Sequence, residues 1–225
     1  MITDDPGTPG DGHWEINLGW TDQQAQGSTL TGLPLLDANY GVGATIQLNY
    51  QASWNILQDS GSPSESGMSD SQVAVKWRFL DHGEDGLQVS TYPRFTFLDP
   101  GSDSDRRGTA DAKASFLLPF EVRRDLGVLS LDADFGHTFS ADAGERGWMG
   151  GLCVGHNLTR AWEIDAEIHV ESSERVQRGE TTVNVGTRYD FSGHATLLAA
   201  IGKDTGNSLG ARISLLTFLG VQIRL

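Results

Sequence analysis

The sequence predicts an all-β fold: a closed, antiparallel, up-and-down transmembrane β-barrel of about 12 strands, with short periplasmic turns and longer extracellular loops. Three observations carry that expectation. Apolar residues recur at every second position in run after run, which is the period of a strand with one apolar and one polar face. No run approaches the roughly 18 consecutive apolar residues that a membrane helix needs. The connections between runs alternate between short and long.

The stretch from Ala211 to Leu225 shows the pattern best, with Leu219, Val221, Ile223 and Leu225 separated by Gly220, Gln222 and Arg224. A strand that stops on an apolar residue fits the closing strand of an outer-membrane barrel, whose lipid-facing end serves as the assembly signal for the barrel-assembly machinery. The last strand of a soluble sandwich would alternate in the same way, so the rest of the chain has to decide.

With 225 residues the chain suits one all-β domain or two small ones. Its 38% hydrophobic content, 28 Gly and net charge of -14 give a low average hydropathy. A barrel tolerates that, because only alternate positions are apolar. The acidic balance argues against nucleic acid as a partner. Cys153 stands alone and forms no internal disulfide. Met1 to Gly7 lacks the basic and apolar regions of an export signal, which leaves a cytosolic protein or a mature form with its signal absent, and the strand pattern favours the second.

Residues 1–12, rich in Pro, Gly and Asp, read as an irregular N-terminal periplasmic segment, and residues 13–225 as the barrel. The first strand carries Trp14, Ile16, Leu18 and Trp20, and a polar loop is expected near Asp22 to Thr29. Leu36, Ala38 and Tyr40 follow, then Ile46, Leu48, Tyr50, Ala52 and Trp54 after the turn at Gly41 to Ala44. Val73, Val75, Trp77 and Phe79 form the fourth apolar face, and Leu87, Val89, Phe95 and Phe97 belong to the fifth. Pro93 there and Pro119 on the next strand lack the ladder donor and mark bulges or weak pairing. After the charged loop at Asp99 to Lys113 come Phe116, Leu118, Phe120 and Val122, then Leu129, Leu131, Ala133 and Phe135. Trp148, Gly150, Leu152 and Val154 lead to the cleanest alternation, Trp162, Ile164, Ala166, Ile168 and Val170. Val183, Val185, Thr187, Tyr189 and Phe191 are followed by Thr196 to Gly202 and the closing strand.

Two further features favour the membrane. Rings stand at the ends of the apolar faces, with Trp14, Trp20, Tyr40, Trp54, Trp77, Trp148, Trp162 and Tyr189 as candidate lipid-interface residues. A ring of so many strands also encloses too wide a space for the apolar set to fill, so the polar face looks inward and outer-membrane lipid covers the outside.

The stretches ITDDPGTPGDGHWEINLGW, LPLLDANYGVGATIQLNY, QVAVKWRFLD and VSTYPRFTF resemble the bacterial outer-membrane family of meta-pathway of phenol degradation transporters. The resemblance runs over nearly the whole chain. It implies an outer-membrane barrel that takes up small, aromatic molecules, and it carries over no catalytic motif.

No G-x-S-x-G, H-E-x-x-H, P-loop or C-x-x-C pattern is present, so no catalytic residue, cofactor or metal site is expected. A lipid-facing hydrolase would need a Ser and a His together, and His137 and His156 fall at opposite ends of the apolar face. Asp99, Asp103 and Asp105 lack an EF-hand order and read as a solvated loop. The inward charges are more informative. Asp132, Asp134, Glu163, Asp165 and Glu167 form an acidic face, and Lys76, Arg78 and Arg94 a basic face roughly across the ring. They make either a transverse field at a constriction or a ladder of salt bridges that fills the lumen. Inward acids outnumber inward bases, which predicts a mild preference for cations. The function expected is passive passage of a small, aromatic or charged solute through a monomeric channel. The alternatives are a plugged structural or binding barrel without conductance and, further off, the hydrolase.

Overall fold

Residues that alternate apolar and polar along an extended chain give each strand two unlike faces, and here the strands close on themselves. The computed structural model describes residues 1–83, 86–110, 113–144, 146–174, 178–205 and 212–225. Parts of the connections expected at 81–86, 99–113, 141–147, 172–179 and 203–210, and Ala211 in the closing stretch, lie outside the described residues.

The strands in chain order are β1 (Trp14–Ala25), β2 (Ser28–Val42), β3 (Ile46–Asp59), β4 (Glu65–Met68) and β5 (Ser71–Asp81). They continue as β6 (Leu87–Thr91), β7 (Arg94–Phe97), β8 (Ser115–Leu126), β9 (Leu129–Ser140) and β10 (Gly147–Thr159). The last are β11 (Trp162–Ser173), β12 (Arg178–Ser192), β13 (Ala195–Thr205) and β14 (Ile213–Arg224). All pairings are antiparallel, and β1 pairs with β14. β4 and β5 share one place in the ring beside β3, and β6 and β7 share another beside β8, which leaves a closed barrel of 12 strand positions. Closure joins β1 to β14 and so removes the two open edges that lipid would leave unsatisfied.

The apolar set points out. Along β11, Trp162, Ile164, Ile168 and Val170 are exposed while Asp165, Glu167 and His169 are buried. The same inversion recurs at Val73 and Val75 beside buried Lys76, and at Leu131 and Phe135 beside buried Asp132 and Asp134. An exterior of contiguous exposed Leu, Val, Ile and Phe is stable only against lipid.

The turn end has connections at 43–45, 82–86, 127–128, 160–161 and 193–194, and the loop end carries the 98–114 connection. The first hairpin departs from the expected polar loop at Asp22 to Thr29. β1 and β2 stay paired as far as Ala25 and Ser28, and the turn is only residues 26–27. Asp22 accepts hydrogen bonds from Thr31 Oγ1 (2.9 Å) and Gln24 Nε2 (2.8 Å), so polar side chains cross-link a strand pair that lacks an apolar face there.

Pro93 breaks its strand as expected, since β6 ends at Thr91 and β7 begins at Arg94. Pro119 does not break its own. It keeps register with Gly136 on β9, and its carbonyl accepts from Thr91 Oγ1 (2.8 Å) and Tyr92 N (3.4 Å) on the other side. In an antiparallel ladder a residue's N–H and C=O point the same way. The donor that Pro119 lacks would therefore have faced the Tyr92–Pro93 gap.

Residues 1–12 are irregular, as their composition predicts, but they lie inside the barrel and not beneath it. Gly12 N donates to Gly41 O (3.0 Å) and Gly41 N to His13 O (2.9 Å) at the turn end. From there the chain runs up the lumen until Ile2 N meets Glu167 Oε2 at 3.0 Å. The segment forms a strap across the lumen because the wall offers it charged and hydrogen-bonding groups that would otherwise be left unmet.

Candidate functional site

The polar inner face and the strap together define the candidate site. At one end of the strap the Glu167 carboxylate accepts from the backbone N–H groups of Ile2 and Thr3 and from Asn184 Nδ2 (2.6 Å). Just after these, Asp4 meets two bases, with Lys76 Nζ 3.0 Å from Oδ1 and Arg94 Nη2 3.0 Å from Oδ2. Lys76 also donates to the Asp5 carbonyl. Both bases contact Glu121 as well, at 3.3 Å for Lys76 and 3.4 Å for Arg94, and Ser90 Oγ donates to Glu121 Oε2 at 2.6 Å. Tyr92 supports this box, its ring 4.5 Å from Lys76 Nζ and 4.4 Å from the Arg94 guanidinium carbon, in cation–π range.

The strap fits because the wall has no side chain where it passes. A Cβ on Gly41 would collide with the Gly10 backbone, and one on Gly151 would strike Thr3, Asp134 and His169. Glycine at those two wall positions is a requirement of close approach.

The strap divides the space. On the loop side lies a cavity of about 470 Å³ lined by Ile2, Arg94, Leu117, Met149, His169 and Glu171. On the turn side lies one of about 290 Å³ lined by Asp5, Gly7, Gln88, Arg123, Glu163 and Arg188. The 98–114 connection leans on the mouth, where Asn55 Nδ2 donates to Thr109 O (2.8 Å) and Ser104 and Thr109 crowd Gly67. Another part of the wall is apolar inside, since the Phe218 ring lies over Gly19 and Gly220.

The basic and acidic faces read from the sequence do not meet across the lumen. Lys76 and Arg94 are brought together, but their partners are Asp4 and Glu121. Arg78 stands apart at the turn end with Asp81 (3.3 Å) and the Ala44 carbonyl (2.9 Å). Asp132 pairs locally with Arg123 at 3.0 Å, and Glu163 accepts from Ser130 Oγ at 2.9 Å. Asp134 sits with His169 around Gly151, and Asp165 lies beside Glu163 around Gly155. A salt bridge reaches only a few ångströms, so charges several strands apart pair with neighbours, and among the described residues the strap contacts both sides.

Trp14, Trp54, Trp77, Trp148, Trp162 and Tyr189 are exposed on the outer wall, and Trp20 and Tyr40 are half-buried. Trp14 packs on Tyr40 with ring centroids 4.8 Å apart, and Trp148 stacks on Phe135 at 5.1 Å. In the closing strand Leu219, Val221 and Ile223 pair with Trp20, Leu18 and Ile16, and Leu225 exchanges hydrogen bonds with Trp14. His137 lies between Phe139 and Trp148 and near Glu174, far along the wall from His156, which pairs with Leu129 at the turn end. Asp103 is committed to Arg107 (3.0 Å), whose hydrogen bond holds its carboxyl below the usual carboxylate range, and Asp99 accepts from Ser71 (2.9 Å).

Sequence reasoning missed the strap and, with it, Asp4, Tyr92 and Glu121 as members of one box. The available signal was a charge imbalance, two inward bases on adjacent strand positions with a single inward acid beside them.

No protein-family model and no curated protein matches the sequence. Solved structures do match in fold. The COG4313 outer membrane channel from Pseudomonas putida F1 superposes with a TM-score of 0.79 at 12% identity, covering 100% of both chains. The KdgM porin, solved in complex with disordered oligogalacturonate, gives 0.65 at 10% identity, covering 92% of this chain and 98% of its own. The NanC porin gives 0.61 at 12% identity, covering 94% and 100%. The fold is that of bacterial outer-membrane β-barrels.

Proposed function

We propose that the protein is a monomeric outer-membrane channel for passive passage of a small solute, narrowed at mid-height by its own strap. The observation that carries this reading is the pair of cavities, about 470 and 290 Å³, lying on either side of residues near the chain start that polar contacts hold in place. A purely structural barrel has no need of cavities on both sides of a removable barrier. The similarity to solved channels and porins supports the same reading.

In this reading the acidic residues Asp132, Asp134, Glu163, Asp165 and Glu167 and the bases Lys76 and Arg94 set the field through which a solute passes. Arg78 acts at the turn-side mouth. The charged box and the Phe218 wall together suit a solute with a polar group and an apolar body. The family resemblance makes small aromatic compounds the first to try. The ring-bearing outer residues anchor the barrel at the two lipid interfaces, and Leu219, Val221, Ile223 and Leu225 present the assembly signal to the barrel-assembly machinery.

Planar-bilayer conductance tests the reading. The full chain should show small, discrete steps, and a chain lacking residues 2–9 should show larger ones. Silence from both would favour the plugged barrel without conductance.

A further inference from the structure

Asp4 sits in its box as a solute would. We propose that Lys76 and Arg94, backed by Tyr92, form a binding site for a small organic monocarboxylate, which takes the place of Asp4 and so releases the strap. The inference rests on the channel reading for its purpose, but the site itself stands on geometry.

Each oxygen of the Asp4 carboxylate has its own base at 3.0 Å, the arrangement that a free carboxylate would seek. The Tyr92 ring holds both cations at fixed positions, so the pair does not depend on Asp4 for its shape. Without Asp4, Lys76 and Arg94 keep a salt bridge only to Glu121 among the described residues, with Asp134 acting on Arg94 from farther off, so a carboxylate in the vacated place regains two charged partners. Arg94 Nε is buried and has no hydrogen-bond partner among the described residues, so the guanidinium has a donor to spare.

Access and exchange follow from exposure. Lys76 and Glu121 side chains are 3% and 0% exposed, whereas Asp4 is 34% exposed, so Asp4 is the member that can leave. The cavity of about 470 Å³ reaches Arg94, and Leu117 and Met149 in its wall accept an apolar body behind the carboxylate. A tethered competitor acts at an effective concentration on the order of millimolar or more, so the intact chain holds a free carboxylate weakly.

The test is calorimetric titration of the detergent-solubilised full chain with sodium benzoate, with benzamide as the neutral probe of the same shape. Asp4→Asn should bind benzoate about tenfold more tightly than the parent chain, because the tethered competitor has lost its charge. Asp4→Glu should stay near the parent, and Arg94→Gln placed in the Asp4→Asn chain should erase the gain. Asp4→Ala removes the hydrogen-bonding amide as well and should repeat the gain. If neither Asp4→Asn nor Asp4→Ala tightens benzoate binding, or if benzamide gains as much, the site is refuted. Bilayer recordings on the same preparations separate the two readings: a benzoate gain without conductance would remove the channel and support the carboxylate site.

Discussion

Lys76 Nζ lies 3.3 Å from Glu121 Oε2 where neither side chain meets water, at 3% and 0% exposure. Breaking such a pair strands a charge, at a cost of about 3–5 kcal/mol, whereas removing both partners costs far less. Lys76→Met should therefore lower the thermal unfolding midpoint, read as loss of the compact band on unheated gels. Lys76→Met with Glu121→Gln should recover more than half of the loss, a coupling that a double-mutant cycle measures directly.

Gly41→Val tests the strap without altering any charge. The added carbon would fall on the Gly10 backbone, so the strap must shift or leave. Single-channel conductance should rise toward that of the chain lacking residues 2–9. An unchanged conductance would place the narrowest point elsewhere.

Replacing Glu163 and Glu167 with Gln and Asp165 with Asn together removes three inward charges at nearly constant volume. The reversal potential in a salt gradient should move toward anion selectivity, and the shift should fade at high salt, because the screening length is about 10 Å at 0.1 M. Glu167 also holds Ile2 and Thr3, so conductance should increase at the same time.

Val128 and Val185 are equally exposed, at 59%, but one lies in the 127–128 turn and the other midway along β12. On a membrane-embedded wall, arginine costs about 2–4 kcal/mol at the midplane and about 0–1 near an interface. Val185→Arg should destabilise the folded barrel in lipid by that larger amount and Val128→Arg hardly at all. Equal effects, measured by urea unfolding in liposomes, would contradict an outer wall that faces lipid.

The wall was legible in the sequence because lipid enforces a period of two at every crossing, and a one-residue slip would put Glu163, Asp165 and Glu167 outside. The first hairpin was not legible. Asp22, Gln23 and Gln24 are polar on both faces, and the pair is held by its backbone ladder and the cross-strand bond from Thr31 to Asp22, which a sequence does not display. The strap was invisible for a different reason. Asp4 and its partners Lys76 and Arg94 stand 72 and 90 positions apart, and no local pattern signals a contact made through the middle of a ring. Inward glycines at 41 and 151 were visible but carried no meaning until something was seen to lie against them.

The pairing of β1 with β14 joins Glu15 to Arg224 and so ties the two extremes of the chain. A ring has no partial form: until that last seam zips, β1 and β14 each hold a row of amides with nothing to bond, and lipid offers them no substitute. Loss of a few residues from β14 would therefore not yield a slightly smaller barrel but an open sheet with two raw borders. Folding of this wall is all or none in space even though its hairpins form one by one along the chain, and the slow event should be the final joining of ends rather than any turn.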